Sequence, residues 1–168
     1  MADSSQNVRN EIAALLPRLR RFGRTLARHR EDADDLVQIA VERALTRTEQ
    51  WQPGTRLDSW MFRIMQNAWI DETRARERRG QIFVAEEEGE HIGVCTTDAQ
   101  IDAIAVRKAV AQLNDDQRAV VGLVLVEGLS YTEAADVLGV PIGTLTSRLA
   151  RAREALQALL GGVEGVNA

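Results

Sequence analysis

The chain has 168 residues, of which 45% are hydrophobic and 27% charged, an ordinary balance for a globular protein. No apolar run approaches the roughly 20 residues that a membrane-spanning helix needs, and the amino terminus lacks the pattern of a secretory signal. The single cysteine excludes an internal disulfide, and with only two histidines we expect no metal site. We therefore expect a cytoplasmic protein without membrane insertion, metal or cofactor.

The charge distribution argues against a protein that binds DNA tightly by itself. The net charge is −4, whereas neutralisation of phosphates supplies most of the non-specific affinity for DNA. Residues 1–79 contain 15 basic and 12 acidic side chains. Residues 80–99 contain five acidic side chains and no lysine or arginine, and residues 100–168 contain six basic and eight acidic side chains. Arginines are concentrated at 74–79 and 148–153. Affinity for duplex DNA should be weak unless a partner supplies more of the positive charge.

Helical periodicity covers most of the first half of the chain. Apolar residues three and four positions apart predict helices over 8–29, 31–46 and 57–79. Pro17 predicts a kink or a new helix start within the first of these segments. A Pro-Gly pair predicts a loop at 49–56.

The middle of the chain has a different composition. Residues 80–99 lose helical periodicity and contain three glycines and four glutamates, the latter between 86 and 90. This pattern predicts a flexible acidic linker, with a short strand at 82–84 as an alternative. The linker separates domain 8–79 from domain 100–160. We expect an all-α fold of two small helical domains.

The second domain is predicted to have four helices, of which the last two form a helix-turn-helix. Asn114 or Asp115 is a suitable N-cap for the next helix. Ser130 and Glu133 have the spacing of a capping box, and Gly139 predicts the end of that helix. Thr144 is expected to cap the last helix.

The last predicted helix separates apolar from polar side chains. Its apolar stripe consists of Leu145, Leu149, Ala152, Leu156 and Leu159. Its other side carries Thr144, Ser147, Arg148 and Arg151. In a DNA-binding helix-turn-helix, the first residues of the second helix meet base edges, and arginine can form two hydrogen bonds to guanine. A helical hairpin with a solvated arginine face is the alternative.

Two polar stripes distinguish the amino-terminal domain. The second predicted helix has an acidic face formed by Asp35, Gln38 and Glu42, which repels DNA and suits a basic protein partner. One face of the third helix consists of Arg63, Asn67, Ile70 and Arg74. An exposed Trp51 in the preceding loop, beside Arg and Asn side chains, could stack on and pair with an unpaired base. Taken alone, each stripe fits a solvated helix face better.

Three stretches occur together in one order: DADDLVQIAVERAL, LDSWMFRIMQNAWIDETRARERR and LSYTEAADVLGVPIGTLTSRLARAREAL. They resemble the extracytoplasmic-function sigma factors of bacterial RNA polymerase over about residues 10–80 and 100–160, with that family's variable linker in between. The resemblance implies a non-enzymatic subunit that directs core polymerase to promoters and helps to melt them. It implies core polymerase, promoter DNA and an anti-sigma protein as partners, and no small-molecule substrate.

The resemblance also implies roles for individual residues. Asp35 and Gln38, and with them Glu42, would dock on the clamp helices of the polymerase β′ subunit, and the second domain would meet the β flap. Contact with the minus-ten element would involve Trp51, Arg63, Asn67 and Arg74. Contact with the minus-thirty-five element would involve Thr144, Thr146, Ser147, Arg148 and Arg151. Gln66 stands where the family usually has an arginine, which weakens the case for a phosphate contact there.

Several alternatives stay open from the sequence. The glutamates at 86–90 either imitate nucleic acid in the polymerase's RNA-exit region or form a solvated charge run. A stand-alone regulator with a similar carboxy-terminal reader would need βαβ alternation or a ligand pocket in its first half. An adaptor or decoy that never touches DNA would tolerate replacement of Arg148 and Arg151. No P-loop, Rossmann glycine pattern or nucleophile–base set supports an enzyme.

Overall fold

A computed structural model describes residues 2–80 and 97–164, with side chains for 3–80 and 97–161. Its helices are α1 (Ala2–Leu26), α2 (Arg30–Thr46), α3 (Leu57–Arg78), α4 (Asp98–Gln112), α5 (Asp115–Val120), α6 (Tyr131–Leu138) and α7 (Ile142–Glu164). These two ranges contain no strand, so the predicted all-α fold of two helical domains is confirmed. Most of the predicted linker, including the alternative strand at 82–84, lies outside the described residues.

The first domain consists of α1, α2 and α3 around an aromatic centre. The rings of Phe22 and Phe62 are fully buried and meet edge to face, with centroids 5.1 Å apart. Each aromatic side chain buries a large apolar area, so this pair fixes α1 against α3. Pro17 lies inside α1, so the predicted helix start at this position is wrong. The exposed proline removes one backbone hydrogen bond, and the buried stripe on the other side of α1 holds the helix together.

Three of the four caps predicted for the second domain are confirmed. The side chain of Asn114 accepts a hydrogen bond from the Gln117 amide at 2.9 Å and starts α5. The Ser130 hydroxyl accepts one from the Glu133 amide at 3.1 Å and starts α6. Gly139 ends α6 in the left-handed conformation (φ 64°), which favours glycine.

The start of α7 differs from the prediction. The carbonyl of Pro141 accepts hydrogen bonds from the amides of Thr144 (3.0 Å) and Leu145 (3.1 Å), so the helix begins at Ile142. Thr144 is therefore inside the first turn and does not cap the helix. Proline is compatible with a helix start because its missing amide would have no intrahelical partner there.

The helix predicted after Asn114 also changes its geometry part-way. From Val121 to Val126 the chain forms a π-helical segment, and the Glu127 amide donates to the Gly122 carbonyl at 2.9 Å. Such segments insert an extra residue into a helical turn and are common at functional positions. Hydrophobic periodicity does not distinguish this segment from an α-helix.

The two domains pack directly against each other. Most of their buried residues form one continuous core, in which α6 lies against α3 and the π-helical segment lies against α1. A Cβ atom on Gly122 would lie 2.9 Å from the Phe22 ring, so the close approach of these two elements requires glycine. The two domains therefore share a hydrophobic core.

Candidate nucleic-acid interface

The acidic face predicted on α2 is exposed. Leu36, Val37, Ala40 and Ala44 are buried on the other side of this helix, which leaves the predicted residues pointing outward. Those residues are Asp35, Gln38 and Glu42. The Gln38 amide donates to the Glu42 carboxylate at 3.3 Å, and Ile39 beside it is 37% exposed. The structure thus brings the three predicted residues together on one anionic, partly apolar surface.

The Trp51 loop is less exposed than predicted. Trp51 is half-buried against the core, and its indole Nε1 is buried without a hydrogen-bond partner among the described residues. The loop turns at Gly54 (φ 91°), and both the amide and the hydroxyl of Thr55 donate to the Gln52 carbonyl, at 3.1 and 2.6 Å. The turn holds the ring against α3 and does not project it into solvent.

The polar face of α3 has the predicted arrangement. Arg63, Asn67 and Arg74 are exposed, whereas Gln66 is 7% exposed and its Oε1 has no hydrogen-bond partner among the described residues. Because Gln66 is buried, it cannot contact a phosphate at the surface. This agrees with the prediction from the sequence, where Gln66 replaces the arginine that is usual in the family. Arg63 donates through Nη2 to the carbonyl of Asp136 at 3.0 Å. Arg63, which is predicted to contact the minus-ten element, is therefore hydrogen-bonded to α6 of the other domain.

A groove of about 490 Å³ lies where the Trp51 loop and α3 face α6. Its walls include residues that the sequence analysis did not select: Gln50, Gln52, Thr55, Arg56, Ser59, Trp60, Glu133, Asp136 and Val137. The Ser59 hydroxyl is buried there without a hydrogen-bond partner among the described residues. The predicted loop at 49–56 indicated the first wall. Nothing local in the sequence indicated that α6 forms the second.

The polar face of α7 is open by comparison. Thr146, Ser147 and Arg151 are exposed, Thr144 is half-buried, and Arg148 lies 3.6 Å from the Asp116 carboxylate. The Thr146 hydroxyl donates to the Ile142 carbonyl at 2.8 Å, so its oxygen remains available as an acceptor. Leu145, Leu149 and Ala152 on the other side are buried, as predicted, and the last two leucines of the stripe are partly buried.

Ion pairs connect α3 with both α1 and α6. Arg56 bonds to Asp58 at 2.7 Å and to Glu133 at 2.6 Å, and Arg18 bonds to the same Asp58 at 2.9 Å. Burial would raise the pKa of Asp58, but the hydrogen bonds from Arg56 and Arg18 outweigh it and hold the pKa below its ordinary value. The Ser130 amide, followed by Arg56, lowers the pKa of Glu133. Both carboxylates are therefore ionised at neutral pH.

No group of three or more His, Cys, Asp or Glu residues within the described ranges has an arrangement that could hold a metal ion. Within the same ranges, no helix combines the length and the apolar character needed to cross a bilayer.

Comparison with known proteins divides the chain at the same place as the fold. The family model "Sigma2 domain of PhyR" matches residues 12–66, and the model "Sigma-70, region 4" matches residues 103–156. The first match covers the exposed face of α2, the Trp51 loop and the first half of α3. The second covers the helix-turn-helix.

Curated relatives match over nearly the whole chain. The "ECF RNA polymerase sigma factor EcfG" of Rhodopseudomonas palustris is 35% identical over 160 residues, which cover 93% of this chain and 86% of that protein. The chain belongs to the extracytoplasmic-function family of RNA polymerase sigma factors. Another sigma factor of this family, SigM of Mycobacterium tuberculosis, is 38% identical over 89% of this chain and 75% of its own length.

A solved structure also matches this sigma factor over both domains. It is the sigma factor RpoE of Bartonella quintana, in complex with the anti-sigma factor NepR. The two are 32% identical, with a TM-score of 0.78 over 93% of this chain and 98% of the other. The likeness therefore extends to the way in which the helices are arranged across the two domains.

Proposed function

We propose that this sigma factor binds core RNA polymerase through the exposed face of α2 and reads promoter DNA through α3 and α7. The observation that carries the proposal is the combination, in one chain, of two helices with exposed arginines and one anionic face. The helices present arginine with Asn, Ser or Thr, and the anionic face belongs to the same domain as α3. A sigma factor of this kind performs no catalysis itself and acts in the cytoplasm, where the polymerase is.

Polymerase binding by α2 is supported by charge and exposure. Asp35, Gln38 and Glu42 form an exposed acidic face with Ile39 beside it. Such a face complements a basic helical surface of a partner, and complementary charge steers association and fixes the binding orientation. The β′ clamp helices are the expected partner surface, with the β flap meeting the second domain.

Capture of a melted minus-ten strand is supported by the composition of the groove. Opening a duplex costs about 1.4 kcal/mol per stacked step, so a protein that melts DNA must hold the separated bases. Stacking of one base on an aromatic side chain contributes about 1–3 kcal/mol. Trp51 and Trp60 line the groove, and Arg63, Asn67 and Arg74 lie along the helix that forms its wall. These residues could hold a base and the adjoining phosphates.

Recognition of a minus-thirty-five element is supported by the open face of α7. Ser147, Arg148 and Arg151 follow the helix start within three turns, and the leucines behind them anchor the helix in the core. This is the arrangement in which a recognition helix enters a major groove. The weak net charge fits a reader that is held on DNA by polymerase, because linkage of two weak sites raises their joint affinity.

An anti-sigma protein is proposed as the regulatory partner. The matching RpoE structure contains the anti-sigma factor NepR. The exposed apolar and acidic face of α2 would suit an inhibitor that competes with polymerase.

The test is transcription in vitro with purified core polymerase on a pool of genomic fragments, with and without this sigma factor. We expect transcripts from a small set of promoters that share two sequence elements. Asp35→Asn should reduce transcription from all of these promoters equally, since it weakens docking and not recognition. Asp3→Asn is the control, because it removes the same charge from an exposed position at the start of α1, outside the docking face.

The alternatives give different results in this experiment. A decoy predicts no transcript above that of core polymerase, and no effect of replacing Arg148 or Arg151. A stand-alone regulator predicts DNA binding that does not depend on core polymerase. Either outcome would contradict the proposed function.

A further inference from the structure

The exposed face of α7 carries an apolar row, of which the sequence analysis selected only Thr146. The row consists of Ile142, Thr146 and Ala150, which are all exposed and follow one another at intervals of four residues. Residues at this spacing lie on one side of a helix, about 6 Å apart along its axis. Ile142, at the first position of the helix, is 52% exposed. The row therefore begins at the end of α7 that a recognition helix inserts into the major groove.

Thr146 belongs to the apolar row because its hydroxyl is turned toward the helix backbone. The hydroxyl donates to the Ile142 carbonyl at 2.8 Å, a bond that threonine can form with the residue four positions earlier in a helix. The single hydrogen of the hydroxyl is used in this bond, so it is not available to a base. The Cβ atom of threonine carries one hydroxyl and one methyl group. The γ-methyl is therefore the group that this exposed side chain presents outward.

A polar row runs beside the apolar row, about 100° around the helix. It consists of Ser147 and Arg151, which are both exposed. Two other predicted recognition residues lie nearer the protein: Thr144 is half-buried, and Arg148 is 3.6 Å from the Asp116 carboxylate. The outer face of α7 is therefore formed by two rows, one that can form hydrogen bonds to base edges and one that offers mainly methyl groups.

Among the four bases, thymine is the one that presents a methyl group in the major groove. Its C5-methyl lies beside the O4 acceptor, whereas guanine, adenine and cytosine are distinguished there by their hydrogen-bonding groups. The methyl groups of alanine and threonine are suited to contact the thymine methyl, and the contact removes apolar surface on both sides from water. An apolar row on a recognition helix therefore selects for thymine at the positions that it faces.

We propose that Thr146 and Ala150 read the C5-methyl group of thymine in the minus-thirty-five element. The inference rests on the proposed function, because it requires α7 to lie in the major groove of that element. It adds Ala150 to the recognition residues and assigns the contact of Thr146 to its methyl group. Thymine is selected here by contact between methyl groups, while Ser147 and Arg151 provide the hydrogen bonds to neighbouring bases or phosphates.

The test removes the methyl group from the DNA alone. Promoters with single replacements of thymine by deoxyuridine in the minus-thirty-five element compete with the unmodified promoter for transcription by core polymerase with this sigma factor. Uracil keeps the hydrogen-bonding groups of thymine and lacks only the C5-methyl. We expect at least one replacement to lower the relative transcription about four-fold, the effect of no longer burying one methyl group. Uracil in the spacer between the two promoter elements should have no effect.

Matched variants remove or keep the methyl group on the protein. Thr146→Ser keeps the hydroxyl and loses the γ-methyl, so it should abolish most of the uracil effect. Thr146→Val keeps a methyl group without the hydroxyl, so it should retain the effect. Ala150→Gly should reduce the effect at the same thymine or at an adjacent one. Ala158→Gly, at an exposed alanine about two turns further along α7, is the control for the flexibility of glycine and should leave the effect unchanged. Circular dichroism checks that each variant is folded.

The results of this experiment separate the inference from the proposed function. Transcription that is unaffected by uracil at every position of the minus-thirty-five element, or an element without thymine, would overturn the methyl contact and leave the proposed function intact. A uracil effect of equal size in the parent, Thr146→Ser and Ala150→Gly would also overturn it, because another group would then contact the thymine methyl. Absence of any transcription would overturn the proposed function and this inference with it.

Discussion

The helices α3 and α7 have similar polar stripes but differ in their availability. Both carry arginines with Asn, Ser or Thr on one face and an apolar stripe on the other. On α7 the polar face is open to solvent, whereas on α3 it borders a groove of which α6 forms one wall, with Arg63 bonded to Asp136. The pattern of a helix therefore indicates what it could bind, and only its neighbours determine when it can bind.

The largest expected effect tests how far α3 depends on the shared core. Phe62→Ala should lower the free energy of unfolding by about 3–5 kcal/mol, because it removes a fully buried ring and its edge-to-face partner. Urea denaturation followed by circular dichroism measures this change. Asn67→Ala, on the exposed face of the same helix, is the control and should change stability by no more than about 0.5 kcal/mol. Similar losses for the two variants would show that α3 is not fixed by this core.

A smaller effect tests whether the open face of α7 reads bases. Arg151→Ala should weaken promoter recognition by about 1–3 kcal/mol and relax the preference at one upstream base pair. Competition between promoter variants in the reconstituted transcription assay measures both changes. Arg107→Ala removes the same charge from the exposed face of α4 and should affect all upstream sequences equally. An unaltered preference in Arg151→Ala would remove this residue from the recognition surface.

The smallest expected effect is a dependence of stability on pH, which involves the contacts of α3 and not those of α7. The pKa values of Asp58 and Glu133, at the contact of α3 with α1 and α6, are lowered in the folded chain. Their contribution is therefore complete above about pH 5 and is lost as the pH falls through about 4 and below. Partly exposed pairs contribute roughly 0–1 kcal/mol, so the loss of stability should be modest.

Urea denaturation followed by circular dichroism, repeated from about pH 7 down to about pH 3, checks this expectation. The free energy of unfolding should fall as the pH falls below about 5, because the two carboxylates bind protons more readily in the unfolded chain. Glu133→Gln should reduce this dependence on pH, and Glu154→Gln, on the exposed face of α7, should not. A free energy of unfolding that falls at alkaline pH instead would contradict the direction derived from the two carboxylates.

Much of the local structure could be predicted because it depends on neighbouring residues. The caps at Asn114, Ser130 and Gly139 act within four positions of the chain, and each is present in the structure. The predicted start of α7 at Thr144 was wrong because Pro141 provides an earlier start. The π-helical segment was missed because its hydrophobic periodicity does not distinguish it from an α-helix.

The sequence predicted which residues belong to the candidate site, but it did not predict which elements pack around them. The predicted residues of α2 and the arginines of α3 and α7 lie on the faces that periodicity indicated. Trp51 is more buried than expected, since the loop packs on the core. Arg18 is hydrogen-bonded to Glu127, 109 residues away, and no spacing rule joins residues at that distance. The roles of these side chains in binding polymerase and promoter stay predictions.

The sequence by itself determined the helices, most of their ends, the division into two domains and the family. It could do so because hydrophobic periodicity and capping act over a few residues, and because three motifs occur in one order. Only the tertiary structure decided which of the two arginine-bearing helices, α3 or α7, lies against the other domain. That outcome depends on a close approach at Gly122 and on charges brought together from both ends of the chain, which become neighbours only after folding.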